Sequence, residues 1–317
     1  MHHVYSLNKA RPDCPTLLTI GTFDGVHRGH QALLEALVDT ARKLGLETVV
    51  FTFFPHPSVV LHNRNPFYYI SLPEEKADLL STKGIDWVIT HPFDNQVRKQ
   101  APDVFLRNLR KALDFRELWC GPDFALGHQR QGNLEWLNAH GPTLGYKLRV
   151  VNEVNNSGGT ISSSRIRRAL RSGDVREANW CLGRHLRVPG RVLKIDKADN
   201  TIGLTNATLE VCNERAYPAV GVYACHIWHR SKCFQAVVNI ISIPALKTSH
   251  ETVSIQAHIL DLDADPSGET LTIDFVERLR TQTSFETPEQ LPIQIRDDVT
   301  KASALLEAAE RKQRTTR

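Results

Sequence analysis

One junction constrains this chain more than any other stretch. The apolar run Thr16-Leu17-Leu18-Thr19-Ile20 passes directly into Gly21-Thr22-Phe23-Asp24-Gly25-Val26-His27-Arg28-Gly29-His30, and a helical pattern, Gln31 to Leu37, follows at once. A buried strand that turns through glycines into a helix opens a β-α-β unit and points to a parallel sheet. Open backbone N–H groups at such a helix start, aided by the helix dipole, form a site for anions and above all for phosphate. Spacing of i and i+3 sets His27 and His30 on one side of the first turn, able to face one phosphate chain. Gly21, Gly25 and Gly29 let the backbone approach a nucleotide with no Cβ in between. A His-x-x-His alone is more often surface or cap; the strand and the Phe23-Asp24-Gly25 turn ahead of it favour nucleotide chemistry here.

From Leu17 to about Val151, strand-like and helical runs alternate, which predicts a parallel sheet covered by helices on both faces. Ligands of such sheets sit beyond the carboxyl ends of the strands. Phe54-Pro55-His56-Pro57 and Gly121-Pro122-Asp123-Phe124 fall at such ends, as the histidine turn does. Ser162-Ser163-Ser164-Arg165-Ile166-Arg167 opens a further helix, which Gly173-Asp174 interrupts before Val175 to Leu182. After Val188-Pro189-Gly190 the character changes to short β-rich runs without intervening helices, the pattern of a small antiparallel barrel or sandwich. A polar helix over about 291–312 closes the chain. At 317 residues the chain exceeds one ordinary core. Two domains are therefore predicted, 1–185 and 186–317.

A net charge of +4 suits anionic small molecules and makes no case for a nucleic-acid surface. The six cysteines lack paired short spacing, which argues against disulfides or zinc and fits a reducing cytoplasm. No apolar run approaches the ~20 residues of a membrane span, and the first residues do not read as a signal peptide. Oligomeric state is open at this stage.

The order of motifs carries a resemblance. GTFDGVHRGH, then Phe53-Phe54-Pro55-His56-Pro57, Gly121 to Gly127, Ile161 to Leu170 and Leu182-Gly183-Arg184 together make the N-terminal part similar to the FMN adenylyltransferase module of the bacterial bifunctional riboflavin kinase/FAD synthetase family. The resemblance implies a Rossmann-like nucleotidyltransferase domain that moves AMP from ATP to FMN, giving FAD and pyrophosphate with Mg2+. It implies His27 and His30 as catalytic residues. Gly21, Phe23, Asp24, Gly25, Gly29, Ser162, Ser163, Ser164 and Arg167 would bind nucleotide. Asp123, Phe54, His56 and Pro57 would bind flavin, with Asp123 also the candidate for magnesium. Serines at a helix start are equally good caps, and Arg165, Arg167, Arg168 and Arg171 read mostly as a solvated face, of which only Arg167 is carried forward as a candidate.

The C-terminal part resembles the riboflavin kinase module, a β-barrel followed by a helix, through Gly221-Val222-Tyr223-Ala224, Val238-Asn239-Ile240 and His258-Ile259-Leu260-Asp261. Its chemical motifs depart from the family. The threonine and asparagine of a PTAN-type phosphate loop fall at Asn206 and Thr208, and the catalytic glutamate falls at Gln256. Glutamine has no basic carboxylate to take the proton of a ribityl hydroxyl. The expectation is a silent kinase on a retained barrel. One alternative is a bifunctional enzyme in which Glu251 or Asp261 supplies the base; Glu251 lies an odd number of residues from Gln256 and so on the other strand face. Others are a non-catalytic flavin or nucleotide sensor, and an HxGH transferase with another acceptor.

Overall fold

The computed structural model describes residues 1–62, 68–152, 154–156, 159–197, 204–244, 251–283, 287 and 290–315. The chain divides into two compact units, 1–163 and 164–317. That division falls earlier than the composition change near position 185, so the helices following Ser163 group with the barrel.

In the first unit, β1 (His2–Val4), β2 (Thr16–Ile20), β3 (Glu47–Phe53), β4 (Trp87–His91), β5 (Phe115–Cys120) and β6 (Lys147–Val150) form one sheet in the order β1-β4-β3-β2-β5-β6. Every neighbouring pair is parallel. The connecting helices are α1 (Arg28–Leu44), α2 (Pro57–His62), α3 (Pro73–Ser81), α4 (Asn95–Lys99), α5 (Pro102–Leu113) and α6 (Leu134–Leu144). All of β2 is buried, because both of its faces are covered. Leu17 packs with Val50, Val88 and the α1 leucines, whereas Leu18 and Ile20 pack with Val49, Phe51, Ile89 and α5. Helix α1 buries Leu33, Leu34, Leu37, Val38 and Ala41 along one stripe and ends at left-handed Gly45. Each fully buried leucine contributes about 1.5–3 kcal/mol.

From β2 the chain steps to β3 and β4 on one side, then returns to lay β5 on the other. The strand order therefore reverses between β2 and β5, and a crevice opens beyond their carboxyl ends. Helix α6 was hidden in the sequence by Gly141 and Pro142, both inside it. A Cβ at Gly141 would lie 2.9 Å from the Tyr146 carbonyl, so close packing explains the glycine.

A two-stranded ribbon, β7 (Asn155–Asn156) and β8 (Gly159–Thr160), precedes α7 (Ser163–Ser172) and α8 (Val175–Leu182). The second unit is a closed antiparallel barrel of β9 (Leu186–Lys197), β10 (Leu204–Glu210), β11 (Gly221–His229), β12 (Lys232–Pro244), β13 (Glu251–Leu260) and β14 (Thr270–Arg280). Ala207, Ala257 and Val238 stand opposite one another on adjacent staves and are buried inside it. Helix α9 (Gln290–Thr315) packs Val299, Ala302 and Leu306 on the outer face, against Val222, Ala224 and Val237. Among the described residues no helix is long and apolar enough to cross a membrane.

Candidate active site

The turn from β2 into α1 is held in an unusual backbone shape. Phe23, Gly25 and Val26 have φ of 45°, 80° and 40°. Glycine takes this region freely, but Phe23 and β-branched Val26 pay about 1–3 kcal/mol each, a cost that persists only where the surroundings over-determine it. Both side chains are buried in the α1 core. The Val26 N–H donates to the Phe23 carbonyl at 3.1 Å, and Gln31 Nε2 donates to the Val26 carbonyl at 2.8 Å. Asp24, also buried, turns its carboxylate into the protein, where it accepts the Ile70 and Ser71 N–H groups at 3.0 Å each. The Gly25 N–H donates to Ser71 Oγ at 2.9 Å. Asp24 therefore braces the loop through its side chain.

His27 caps α1: its Nδ1 accepts the His30 N–H at 3.3 Å. An accepting Nδ1 carries no proton, so the neutral ring carries it on Nε2 and offers a donor there. The His27 and His30 rings stack with centroids 3.7 Å apart, and the Phe23 ring lies 4.8 Å from that of His30. Gly29 permits this packing, since a Cβ there would come within 3.2 Å of the His27 ring. Burial, then His27, then the Lys76 ammonium push the His30 pKa well below the ordinary imidazole value. His30 Nδ1 is buried without a hydrogen-bond partner. A stacked imidazole pair, with His30 held neutral by burial, thus stands at a helix N-terminus, where a polyanion would be favoured.

Of the serine run, Ser163 meets this loop directly, donating its hydroxyl to the Asp24 carbonyl at 2.9 Å. Ser162 is half-buried and Ser164 exposed at the start of α7. On α7, Arg167 is buried while Arg168 and Arg171 are exposed, so the one arginine singled out by motif differs from the solvated pair. It belongs to the second unit.

Sequence reasoning missed Lys76. Its Nζ donates to the Thr22 carbonyl at 2.8 Å and to Thr52 Oγ1 at 3.2 Å, directly beneath the loop. Desolvation lowers its pKa from 10.5 to about 8, against the opposing pull of Asp24. A signal was present: Pro73, Lys76, Ala77 and Leu80 form the buried stripe of α3, and a lysine on an apolar stripe is out of pattern.

The predicted flavin residues fall in two places. Phe54 and His56 join Tyr69 and Tyr68, with ring centroids 5.3 and 5.1 Å apart, and His56 Nδ1 accepts the Ser58 N–H at the start of α2, which Pro57 opens. Asp123 is exposed in the turn after β5, and its carbonyl accepts from Arg130 at 2.8 Å. Neither group borders the cavity of about 760 Å³ that opens among Phe51, His91, Val97, Phe105, Lys99 and Lys111. The cavity is nonetheless tied to the loop, because the Phe51 carbonyl accepts the Gly21 N–H at 3.0 Å. His91 Nδ1 is buried there without a hydrogen-bond partner. Among the described residues no three His, Cys, Asp or Glu side chains converge to hold a metal.

On the barrel, Asn206 and Thr208 of β10 stand opposite His258 and Gln256 of β13, and Gln256 also stands opposite Asn239 of β12. Alternation with the buried Ala207, Ile255 and Ala257 puts this polar group on the outer face. Asn206, predicted to lie in a ligand loop, instead sits in a full stave; residues 198–203 ahead of it lie outside the described residues. The register from Glu251 to Ile259 is unbroken, so positions 251 and 256 fall on opposite strand faces. Asp261 lies past the end of β13 at φ 56°, exposed. Asp298 is buried in a bidentate pair with Arg280, whose Nε donates to Oδ1 at 3.1 Å and Nη2 to Oδ2 at 2.8 Å.

Two family models match the chain: FAD synthetase over residues 9–165 and riboflavin kinase over 182–306. Among curated relatives, the bifunctional riboflavin kinase/FMN adenylyltransferase of Listeria monocytogenes is 30% identical over 94% of this chain and 94% of its own. Those of Pseudomonas fluorescens and Escherichia coli K12 are 31% and 30% identical, over 96% and 94% of this chain and 98% and 95% of theirs. A crystal structure described as a macrolide-efflux protein from Streptococcus pneumoniae matches with a TM-score of 0.84 and 27% identity, over 94% of this chain and 96% of that one.

Proposed function

This chain belongs to the bifunctional riboflavin kinase/FMN adenylyltransferase family, and we propose that it works as an FMN adenylyltransferase whose kinase module is silent. A phosphate oxygen of FMN attacks the α-phosphorus of ATP, the new P–O bond forms FAD, and the bond to pyrophosphate breaks. Such transfers need positioning and charge stabilisation more than covalent help. The observation that carries the reading is the stacked His27–His30 pair at the start of α1, with one buried ring nitrogen lacking a partner. Both rings would donate to the triphosphate, with Gly21, Phe23, Gly25 and Gly29 shaping the loop around it and Asp24 holding that loop. Ser162 and Ser163 would add nucleotide contacts.

The cavity beside Phe51 and Phe105 has the size of a small-molecule site, with two aromatic rings among mostly polar lining residues and lysines for a phosphate. We place the flavin ring there, with Phe54, His56 and Pro57 shaping the strand exit. The absence of a three-ligand cage among the described residues fits a magnesium ion brought in on the triphosphate, since such ions keep several waters and use one or two carboxylates. Asp123 would be its protein ligand; when bound, the ion neutralises phosphate charge. We assign the polypeptide 1–185 to this activity and 186–317 to the barrel, in a cytoplasmic protein whose six cysteines form no disulfide.

Silence of the kinase follows from Gln256. No described carboxylate occupies its place beside Thr208 and Asn239, and the unbroken register keeps position 251 on the other face. Loss of such a base typically lowers rate ~10²–10⁴-fold. His30→Ala tests the first half of the proposal: FAD formation from FMN and ATP should disappear while the fold persists. Undiminished FAD output would move the chemistry elsewhere.

A further inference from the structure

We propose that Lys76 is a positioning residue for adenylyl transfer, its buried ammonium pinning the β2–α1 loop from beneath and setting the electrostatics of the paired histidines. The inference rests on the adenylyltransferase reading and adds to it a residue outside the histidine and serine motifs. The geometry is a three-way knot. Lys76 Nζ and Thr52 Oγ1 both donate to the Thr22 carbonyl, at 2.8 and 3.0 Å, and Nζ also donates to Thr52 Oγ1. Thr22 is the residue before Phe23, where the backbone enters its left-handed stretch. Helix α3, the end of β3 and the loop are thus joined at one charged atom.

An apolar residue would suit this position better as packing, because Lys76 is only 4% exposed and lies on the buried stripe of α3. Nor does the loop need the ammonium to satisfy its carbonyl, since Thr22 keeps the Thr52 hydroxyl. What only the lysine supplies is a positive charge under the phosphate loop. The titratable groups in its field come from three elements: Asp24 from the loop, His30 from α1 and His3 from β1. Asp24 stabilises the charge. Burial is the main cause that lowers the pKa of His30 and His3, and Lys76 adds to it, against Glu74 and Asp78 in the case of His3. A fixed cation in a low-dielectric floor also draws an incoming triphosphate toward the loop.

The test uses the full chain with Lys76→Met and Lys76→Arg, following FAD formation from FMN, ATP and magnesium. Lys76→Met should lower kcat/KM for ATP by about 10²-fold, the usual penalty for slight misplacement of a reacting group. In the wild type the same parameter should fall on the alkaline side near the pKa of about 8. Lys76→Arg, which keeps its charge, should recover most of the rate and lose that alkaline limb. An independent readout is the His30 imidazole titration by NMR, which should move upward in Lys76→Met. Wild-type kcat/KM in folded Lys76→Met would overturn the proposal, and so would a His30 titration left where it is in the wild type. A wild-type protein that makes no FAD would instead remove the adenylyltransferase reading, while the His30 titration still decides the role of Lys76.

Discussion

Replacing Lys76 with methionine should make the first unit more stable at neutral pH. A fall in pKa from 10.5 to about 8 corresponds to about 3 kcal/mol by which the charged lysine disfavours the folded state. Methionine has nearly the same reach and completes the apolar stripe of Pro73, Ala77 and Leu80. Against this stands the loss of the Nζ bonds to Thr22 and Thr52, worth about 1–2 kcal/mol because the Thr22 carbonyl keeps a second donor. The net expectation is a gain of about 1–2 kcal/mol at pH 7. The pH dependence has a definite sign. Below about pH 8 folded and unfolded chains both carry the proton, and the penalty is fully present. Between 8 and 10.5 only the unfolded chain holds it, so wild-type stability should rise relative to the variant by up to about 3 kcal/mol. Urea unfolding from pH 7 to 10 measures both, with Trp180 and Trp228 changed to phenylalanine so that Trp87, Trp119 and Trp136 report on the first unit alone. A variant less stable than wild type by over ~2 kcal/mol at pH 7, or a difference that stays flat from pH 8 to 10, would refute the reasoning.

Other consequences are separable. Asp24→Ala strips the Ile70 and Ser71 N–H groups of their acceptor and should destabilise the first unit by about 2–4 kcal/mol in the same urea assay. Since His30 is neutral when folded, acid should weaken the fold: below about pH 6.5 the unfolded chain gains a proton that the folded one refuses. That loss should be smaller in His30→Asn when unfolding is compared from pH 7 to 5, the remainder coming from other imidazoles with lowered pKa, such as His3 and His91. Phe105→Ala should raise KM for FMN about tenfold and leave KM for ATP unchanged, since removing a buried aromatic wall costs ~1–3 kcal/mol of uniform binding. Gln256→Glu alone should yield no FMN from riboflavin, because Asn206 and Thr208 still depart from the phosphate loop.

Where local pattern and tertiary demand agree, the sequence is legible. Helix α5 begins at Pro102 and ends at Leu113, as its proline start and apolar spacing predict, and the histidine turn lies at the switch point of a parallel sheet. Strand β1 and helix α6 escape notice for opposite reasons. The first is a three-residue edge that exists only through pairing with β4, and the second carries its own helix breakers. Stave β10 is disguised because Asn206 and Thr208 align with a ligand motif while alternating with buried Ala207 and Leu209. Motif spacing singles out His27, His30 and Ser163, which meet at one loop, but not how Asp24 is used. A carboxylate next to a phosphate loop reads as a ligand, and only the fold shows it taken up by Ile70 and Ser71. Lys76 is invisible to motif reasoning and legible only as a charge breaking an apolar stripe.

The most direct measurement is chromatographic product analysis of the purified chain with ATP and magnesium, supplied in parallel with FMN or with riboflavin. FAD from FMN, together with neither FMN nor FAD from riboflavin, is the predicted result. Riboflavin turned over at a rate comparable to FMN would contradict the silent barrel, and FMN left unconverted would contradict the histidine site itself.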